Sequence, residues 1–266
     1  MNCAPFFGAQ FLFLLRGEGA QMRKFLSVFL LSTCVLIPSL SHANDLSLDT
    51  SDPLFILGDD GILSQSSITY WDHILRAGQS VSYGMNNRLT IGANVHYQHD
   101  FNGPEDGFSA IDLGATYRIG MADDNDARVI SDVLFGFKFG GSSRVRTPDY
   151  ADSTYYAGVR FGRQWVGMTL AATIKSTWVF DDTRGVAFLD FMPEAYFRIA
   201  PDWRLGTGLT FRKATHKDPI DDTDFDQEWL HAKLVRQYGH TQYIGHMDFE
   251  FESDDVQVGA RINILF

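Results

Sequence analysis

From residue 74 to the C-terminus the chain alternates apolar and polar positions with period two. Leu89, Ile91, Ala93, Val95 and Tyr97 are separated by Thr90, Gly92, Asn94 and His96. Val133, Phe135, Phe137 and Phe139 are separated by Leu134, Gly136 and Lys138. The last run is the cleanest: Val256, Val258, Ala260, Ile262, Ile264 and Phe266 against Gln257, Gly259, Arg261, Asn263 and Leu265. Period two sends successive side chains to opposite faces of a strand. The pattern predicts eleven strands, at about 75–85, 89–97, 111–119, 129–139, 155–165, 168–180, 187–199, 205–211, 230–238, 243–251 and 256–266. Only two charged residues, Arg163 and Arg236, fall on the apolar faces, against fourteen on the opposite faces.

Strand length and charge placement together suit a bilayer. An eleven-residue strand rises about 36 Å; tilted by roughly 40° it spans about 28 Å, the thickness of the hydrocarbon layer. A charge at the midplane of a lipid-facing strand costs about 2–4 kcal/mol. Arg163 and Arg236 stand near strand ends, where a long side chain reaches the headgroups. Aromatics collect at two levels, with Tyr83, Tyr117, Trp165, Phe197, Tyr238 and Phe266 at one and Tyr97, Phe139, Trp178 and Phe251 nearer the other. These would be two interfacial girdles. A soluble, lipocalin-like barrel fits less well, because the apolar face is the bulkier one and would overfill the bore.

Connections alternate in length. Residues 86–88, 166–167, 201–203 and 239–241 are tight turns, with longer polar stretches at 98–110, 140–154 and 212–229. The turn at 120–128 reads longer than this rule expects, and the loops 181–186 and 252–255 read shorter. A barrel with both ends on one side of the membrane needs an even strand number, so Ile62–Trp71 is assigned as a further strand despite its weak pattern. The expected fold is all-β: a transmembrane antiparallel up-and-down β-barrel of twelve strands over residues 61–266, with ten as the fallback. Residues 44–60 would be a periplasmic N-terminal segment placed to plug part of the pore.

The first 43 residues read as export signal. Met22-Arg23-Lys24 opens a positive region, Phe25 to Leu40 is apolar, and Ser41-His42-Ala43 ends on a small residue, which sets cleavage after Ala43. Met22 is the expected start, residues 1–21 being an upstream extension. The rival is a lipoprotein signal with Leu31-Ser32-Thr33-Cys34 as lipobox, although apolar sequence continues past the cysteine. Cys3 and Cys34 are the two cysteines, so the exported chain has none and no disulfide or zinc framework. A net charge of −11 argues against nucleic acid as a partner.

Alternating strands that end on Phe266, behind a signal peptide, resemble the Gram-negative outer-membrane β-barrel proteins of porin-like type. The resemblance covers residues 62–266. It implies insertion in the outer membrane among lipid and lipopolysaccharide, and a terminal Phe266 read by the barrel-assembly machinery.

Three kinds of chemistry are then open. The lumen is expected to carry Arg76, Arg118, Lys138, Arg160, Lys175, Arg198, Lys233 and Arg261 against Asp112, Asp132, Asp190, Glu194, Asp248 and Glu250. Interspersed signs make either a salt-bridged closed barrel or a polar channel for small solutes with a mild anion preference. The acidic run Asp218, Asp221, Asp222, Asp224 and Asp226 has partial calcium-loop spacing, but Gln227 stands where glycine belongs and Lys233 where the bidentate glutamate belongs. No metal or cofactor is therefore assigned. Histidines His96, His99, His216 and His231 with Ser109 or Ser153 are the residues from which a lipid hydrolase could be assembled. No HExxH, P-loop or GxSxG is present in the exported chain. The reading is a passive porin-like channel and not an enzyme, with a non-conducting structural barrel as the alternative.

Overall fold

The computed structural model describes residues 49–124, 126–142, 153–180, 185–216 and 226–266. The expected signal region, residues 1–43, lies outside them. Twelve long strands and one two-residue strand follow one another: β1 (Ile62–Trp71), β2 (Ile74–Asn86), β3 (Leu89–Asp100), β4 (Gly107–Phe108), β5 (Ile111–Asp124), β6 (Ala127–Phe139), β7 (Ser153–Trp165), β8 (Met168–Phe180), β9 (Gly185–Ala200), β10 (Trp203–His216), β11 (Gln227–Tyr238), β12 (Thr241–Glu250) and β13 (Val256–Leu265). Each long strand pairs antiparallel with its neighbours, and β1 pairs with β13 from Leu63↔Leu265 to Tyr70↔Val258, so the sheet closes on itself. Closure removes the open edges on which strands of different molecules would pair. The seam reaches the last residue, where Phe266 N donates to Ile62 O at 2.8 Å. Two-residue β4 is a spur on β3, pairing Tyr97↔Phe108.

The polarity of the wall is inverted relative to a soluble protein. Phe135 is 50% exposed and Phe137 51% on the outside, while Asp132 is 0% and Asn263 1% exposed on the inside. Water would not tolerate an outer surface of this composition, and hydrocarbon would not tolerate the inner one. The apolar stripe therefore faces lipid, and the soluble-barrel alternative falls. Both charged exceptions are accommodated at the end with the short turns. Arg163 pairs with Asp124 at 2.7 Å and lies over Trp165, and Arg236 lies over Trp203 at 5.5 Å. At the other end Tyr155 stacks on Trp178 at 4.6 Å and Phe137 on Phe139.

The strand assignments hold, including the weak one at 62–71, and twelve strands replace the fallback of ten. Most strands run longer than the alternation alone marks. The apparent long turn at 120–128 is corrected: β5 and β6 stay paired to Asp124↔Ala127, and a register shift after Arg118 absorbs the break in pattern. At the long-loop end β1 and β2 join through Asp72 and His73 alone, with φ of 30° and 69°. Such left-handed residues are what a tight hairpin between right-twisted strands requires. In the β9–β10 ladder no residues pair between Gly208↔Glu194 and Phe211↔Phe191, beside Pro193, which has no N–H to give.

Candidate functional site: a plugged polar lumen

Residues Asp49–Gly61 enter the bore at the short-turn end and are bonded to the wall on all sides. The segment has little regular structure; Asp52 N and Phe55 N donate to Asp49 O and Asp52 O, each at 3.0 Å. Its polar groups are met by side chains of the inward face. Asp49 accepts from Arg204 Nε at 3.1 Å, and from the Tyr196 hydroxyl and Gln242 Nε2, each at 2.8 Å. Asp52 accepts from Thr169 at 2.6 Å and Gln164 at 3.0 Å. Lys233 Nζ donates to Ser51 O at 2.9 Å, and Asn263 Nδ2 to the Thr50 hydroxyl at 2.9 Å. Two leucines anchor it: Leu54, 1% exposed, packs on Ile130 and Ala171, and Leu57 packs on Leu63 and Leu265.

Two glycines make the fit possible. A Cβ on Gly162 would lie 2.8 Å from Leu54 Cδ1, and one on Gly84 would lie 1.9 Å from Gly58 O. No other residue leaves the wall low enough there for the segment to pass.

Beneath the leucines sits a clamp built from three of the predicted residues. Asp132 accepts from Arg118 Nε at 2.9 Å and from Arg160 Nη2 at 2.6 Å. Each arginine also donates to a plug carbonyl, Arg118 to Leu54 O at 2.5 Å and Arg160 to Phe55 O at 3.4 Å. A carboxylate buried on its own would cost several kcal/mol; two guanidinium forks satisfy it, and their remaining donors hold the plug.

Toward the long-loop end a second buried carboxylate organises the wall. Asp190 accepts from Arg212 Nε at 2.8 Å and from Lys175 at 3.3 Å. His231 is fixed by Asp248 at 2.8 Å on Nδ1 and by the Thr210 hydroxyl at 2.8 Å on Nε2. Asp112 accepts a long 3.4 Å bond from Tyr156 and stands opposite Lys138 across the strands. Arg76 donates to Gln98 at 2.9 Å and lies over Trp71, and Glu250 accepts from Ser253 at 2.7 Å. Lys233 is 3.8 Å from Glu194. Arg198 is the outlier of the predicted set: it is exposed at the short-turn rim and donates to Pro201 O at 3.1 Å.

Between plug and outer half lies a cavity of about 390 Å3, floored by Thr50, Ser51 and Phe55 and walled by Gln65, Lys233, His246 and Arg261 among others. A second, of about 240 Å3, reaches Asn94, Asp112 and Tyr156.

Sequence reasoning missed Arg204, Arg212, Asp49 and Asp52. Arg204 and Arg212 lie just beyond the predicted strand 205–211, yet Arg204, Gly206, Gly208, Thr210 and Arg212 continue one period-two face. Following the inward face through its polar ends would have found both. Asp49 and Asp52 carry no such signal, since nothing local distinguishes them from other loop acids. Among the described residues no histidine ring hydrogen-bonds a serine side chain: Ser109 Oγ accepts from the backbone N–H of His96 and donates to Ala110 O. Asp218, Asp221, Asp222 and Asp224 lie outside the described residues.

These features define an outer-membrane-type β-barrel: a closed twelve-strand antiparallel wall, apolar outside and polar inside. The solved structures it is similar to are of the same kind. It superposes on the NanC porin with a TM-score of 0.54 at 12% identity, over 77% of this chain and 98% of that one. On the KdgM porin the TM-score is 0.55 at 10% identity, over 76% and 98%. On an outer-membrane channel from Pseudomonas putida it is 0.53 at 10% identity, over 77% and 94%. At these identities the likeness is one of fold. No family model and no curated protein matches the sequence.

Proposed function

We propose that the chain is an outer-membrane channel whose lumen passes small polar solutes, with a mild preference for anions, and whose periplasmic mouth is narrowed by its own N-terminal segment. The short-turn end faces the periplasm, after export and cleavage at Ala43. Lipid and lipopolysaccharide surround the wall, and the terminal Phe266 serves recognition by the barrel-assembly machinery. The observation that carries the reading is the polar cavity of about 390 Å3 above the plug. A barrel serving only as a scaffold would gain by filling that space with apolar side chains, since packed interiors are more stable than voids. Interspersed charge on the wall keeps the bore wet without a ring of one sign, so selectivity is weak.

The plug itself favours a second reading, a closed barrel without conductance. Planar-bilayer recordings separate the two. The full chain is expected to give small, defined current steps, and a variant lacking residues 49–57 steps at least several-fold larger. A correctly folded variant that stays silent leaves the closed barrel as the answer.

A further inference from the structure

We infer that the cavity above the plug is a binding site for one small oxyanion, a phosphate- or carboxylate-type group, held by Arg261 with Lys233 and His246 beside it. The inference deepens the channel reading and rests on it for solute access.

Arg261 is the exception among the inward cations. Arg118 and Arg160 are spent on Asp132, Lys175 and Arg212 on Asp190, and Arg204 on Asp49. Arg76 has Gln98 and Lys233 has Ser51 O. Arg261 lines the cavity and has no hydrogen bond or ion pair among the described residues. The acid within its Coulomb range, Asp248, is already engaged by His231 at 2.8 Å. A guanidinium keeps its charge at any working pH and offers five donors in a planar fork, a geometry that matches an oxyanion bidentately.

The surroundings are built around this group. Gly259 stands two residues before Arg261 on the same face of β13, and a Cβ there would lie 2.4 Å from the His246 ring. Glycine thus lets the imidazole cross β13, where its Nε2 stands 3.3 Å from the Thr69 hydroxyl of β1. Lys233 enters from β11, and its amino group lies at the plug surface, within Coulomb range of Arg261. Glu194 and Asp52 also line the cavity, but Asp52 is bound by Thr169 and Gln164. Hydroxyls of Thr50, Ser82, Thr90 and Thr116 complete a lining that suits a hydrogen-bonding anion. Low-dielectric walls around such a bore concentrate the field of an unpaired cation on whatever enters. Thr50 and Ser51 belong to the plug, so an occupant touches plug and wall together. By linkage, its binding favours the seated plug.

The test uses inorganic phosphate as the probe and the full exported chain in detergent. Thermal unfolding is followed in phosphate and in sodium chloride of equal ionic strength. The wild type is expected to unfold at a higher temperature in phosphate, with a saturable concentration dependence. In Arg261→Gln the half-saturating concentration rises at least tenfold; in Arg198→Gln, at the rim, it stays within twofold. No phosphate-specific shift in the wild type, or an unchanged midpoint in Arg261→Gln, overturns the proposal. Heat-dependent gel mobility reports whether Arg261→Gln folds. If it does not, Arg261→Lys replaces it: charge without the fork should weaken the midpoint at least threefold, and an unchanged midpoint again overturns the site. Silence in bilayers would fail the channel reading while leaving the phosphate shift intact, so the two failures are distinguishable.

Discussion

The two halves of the bore solve the same problem in opposite ways. Each contains a carboxylate, Asp132 in one and Asp190 in the other, 1% exposed or less and held by two cations. In the half with the short turns, the cations reach past their carboxylate to the backbone of Asp49–Gly61, and leucines anchor that segment to the wall. In the half with the long loops they stop at the wall, and the cavities lie over the plug and along the inner face of β2, β3 and β5, away from Asp190. The difference teaches that charge inside a barrel does not by itself mean a pore. What the spare donors reach decides whether the ion pairs cement a plug or merely stiffen a wall.

Breaking the clamp is the strongest way to test this contrast. Asp132→Ala leaves two buried guanidinium groups uncompensated, and losing one partner of such a cluster costs about 3–5 kcal/mol. The expected outcome is a large drop in unfolding temperature together with rapid proteolysis within residues 49–61. Asp190→Ala should lose comparable stability while its plug stays protected; equal protease sensitivity in both variants would erase the distinction between the halves.

Leu54→Ala removes the deepest apolar anchor of the plug. Truncation of a fully buried leucine costs about 2–5 kcal/mol, here drawn from plug seating more than from the wall. Single-channel recordings should show larger or more frequent steps than the wild type. Unaltered conductance would mean that the hydrogen bonds of Asp49 and Asp52 suffice.

Gly162→Ala works from the wall side. Its added methyl meets Leu54 Cδ1 at 2.8 Å and the fixed carbonyl of Leu170 at 2.3 Å. Overpacking of this kind costs about 1–3 kcal/mol. Hydrogen exchange should quicken at Leu54 and its neighbours before it quickens in β7 or β8.

Arg163→Gln is the smallest effect. The pair with Asp124 is half-exposed at the membrane rim, where such pairs contribute about 0–1 kcal/mol. Unfolding should shift little, and a large loss would show that this arginine anchors the barrel in the headgroup layer.

The wall was almost wholly legible in the amino-acid sequence. Alternation names one side chain in two as inward, and that local rule placed Asp132, Asp190, Lys233 and Arg261 on the inner face. Where the alternation met a bulge after Arg118, or was cut short before Arg204 and Arg212, the reading erred at the strand ends. Register across the ring was not legible, because it depends on which residues of neighbouring strands stand opposite one another.

Strand identity and the lipid-facing stripe were thus determined by sequence alone, because both follow from a period of two; parity required an even strand number, and the pairing of β1 with β13 decided closure and the choice of twelve over ten. Only the tertiary structure decided that Asp49 meets Arg204, Tyr196 and Gln242, that two arginines grip the carbonyls of Leu54 and Phe55, and that Arg261 has no partner among the described residues. Those contacts join residues up to almost two hundred positions apart along the chain. They arise when a closed ring brings all twelve inner faces to one axis, and no pattern along a single strand encodes that meeting.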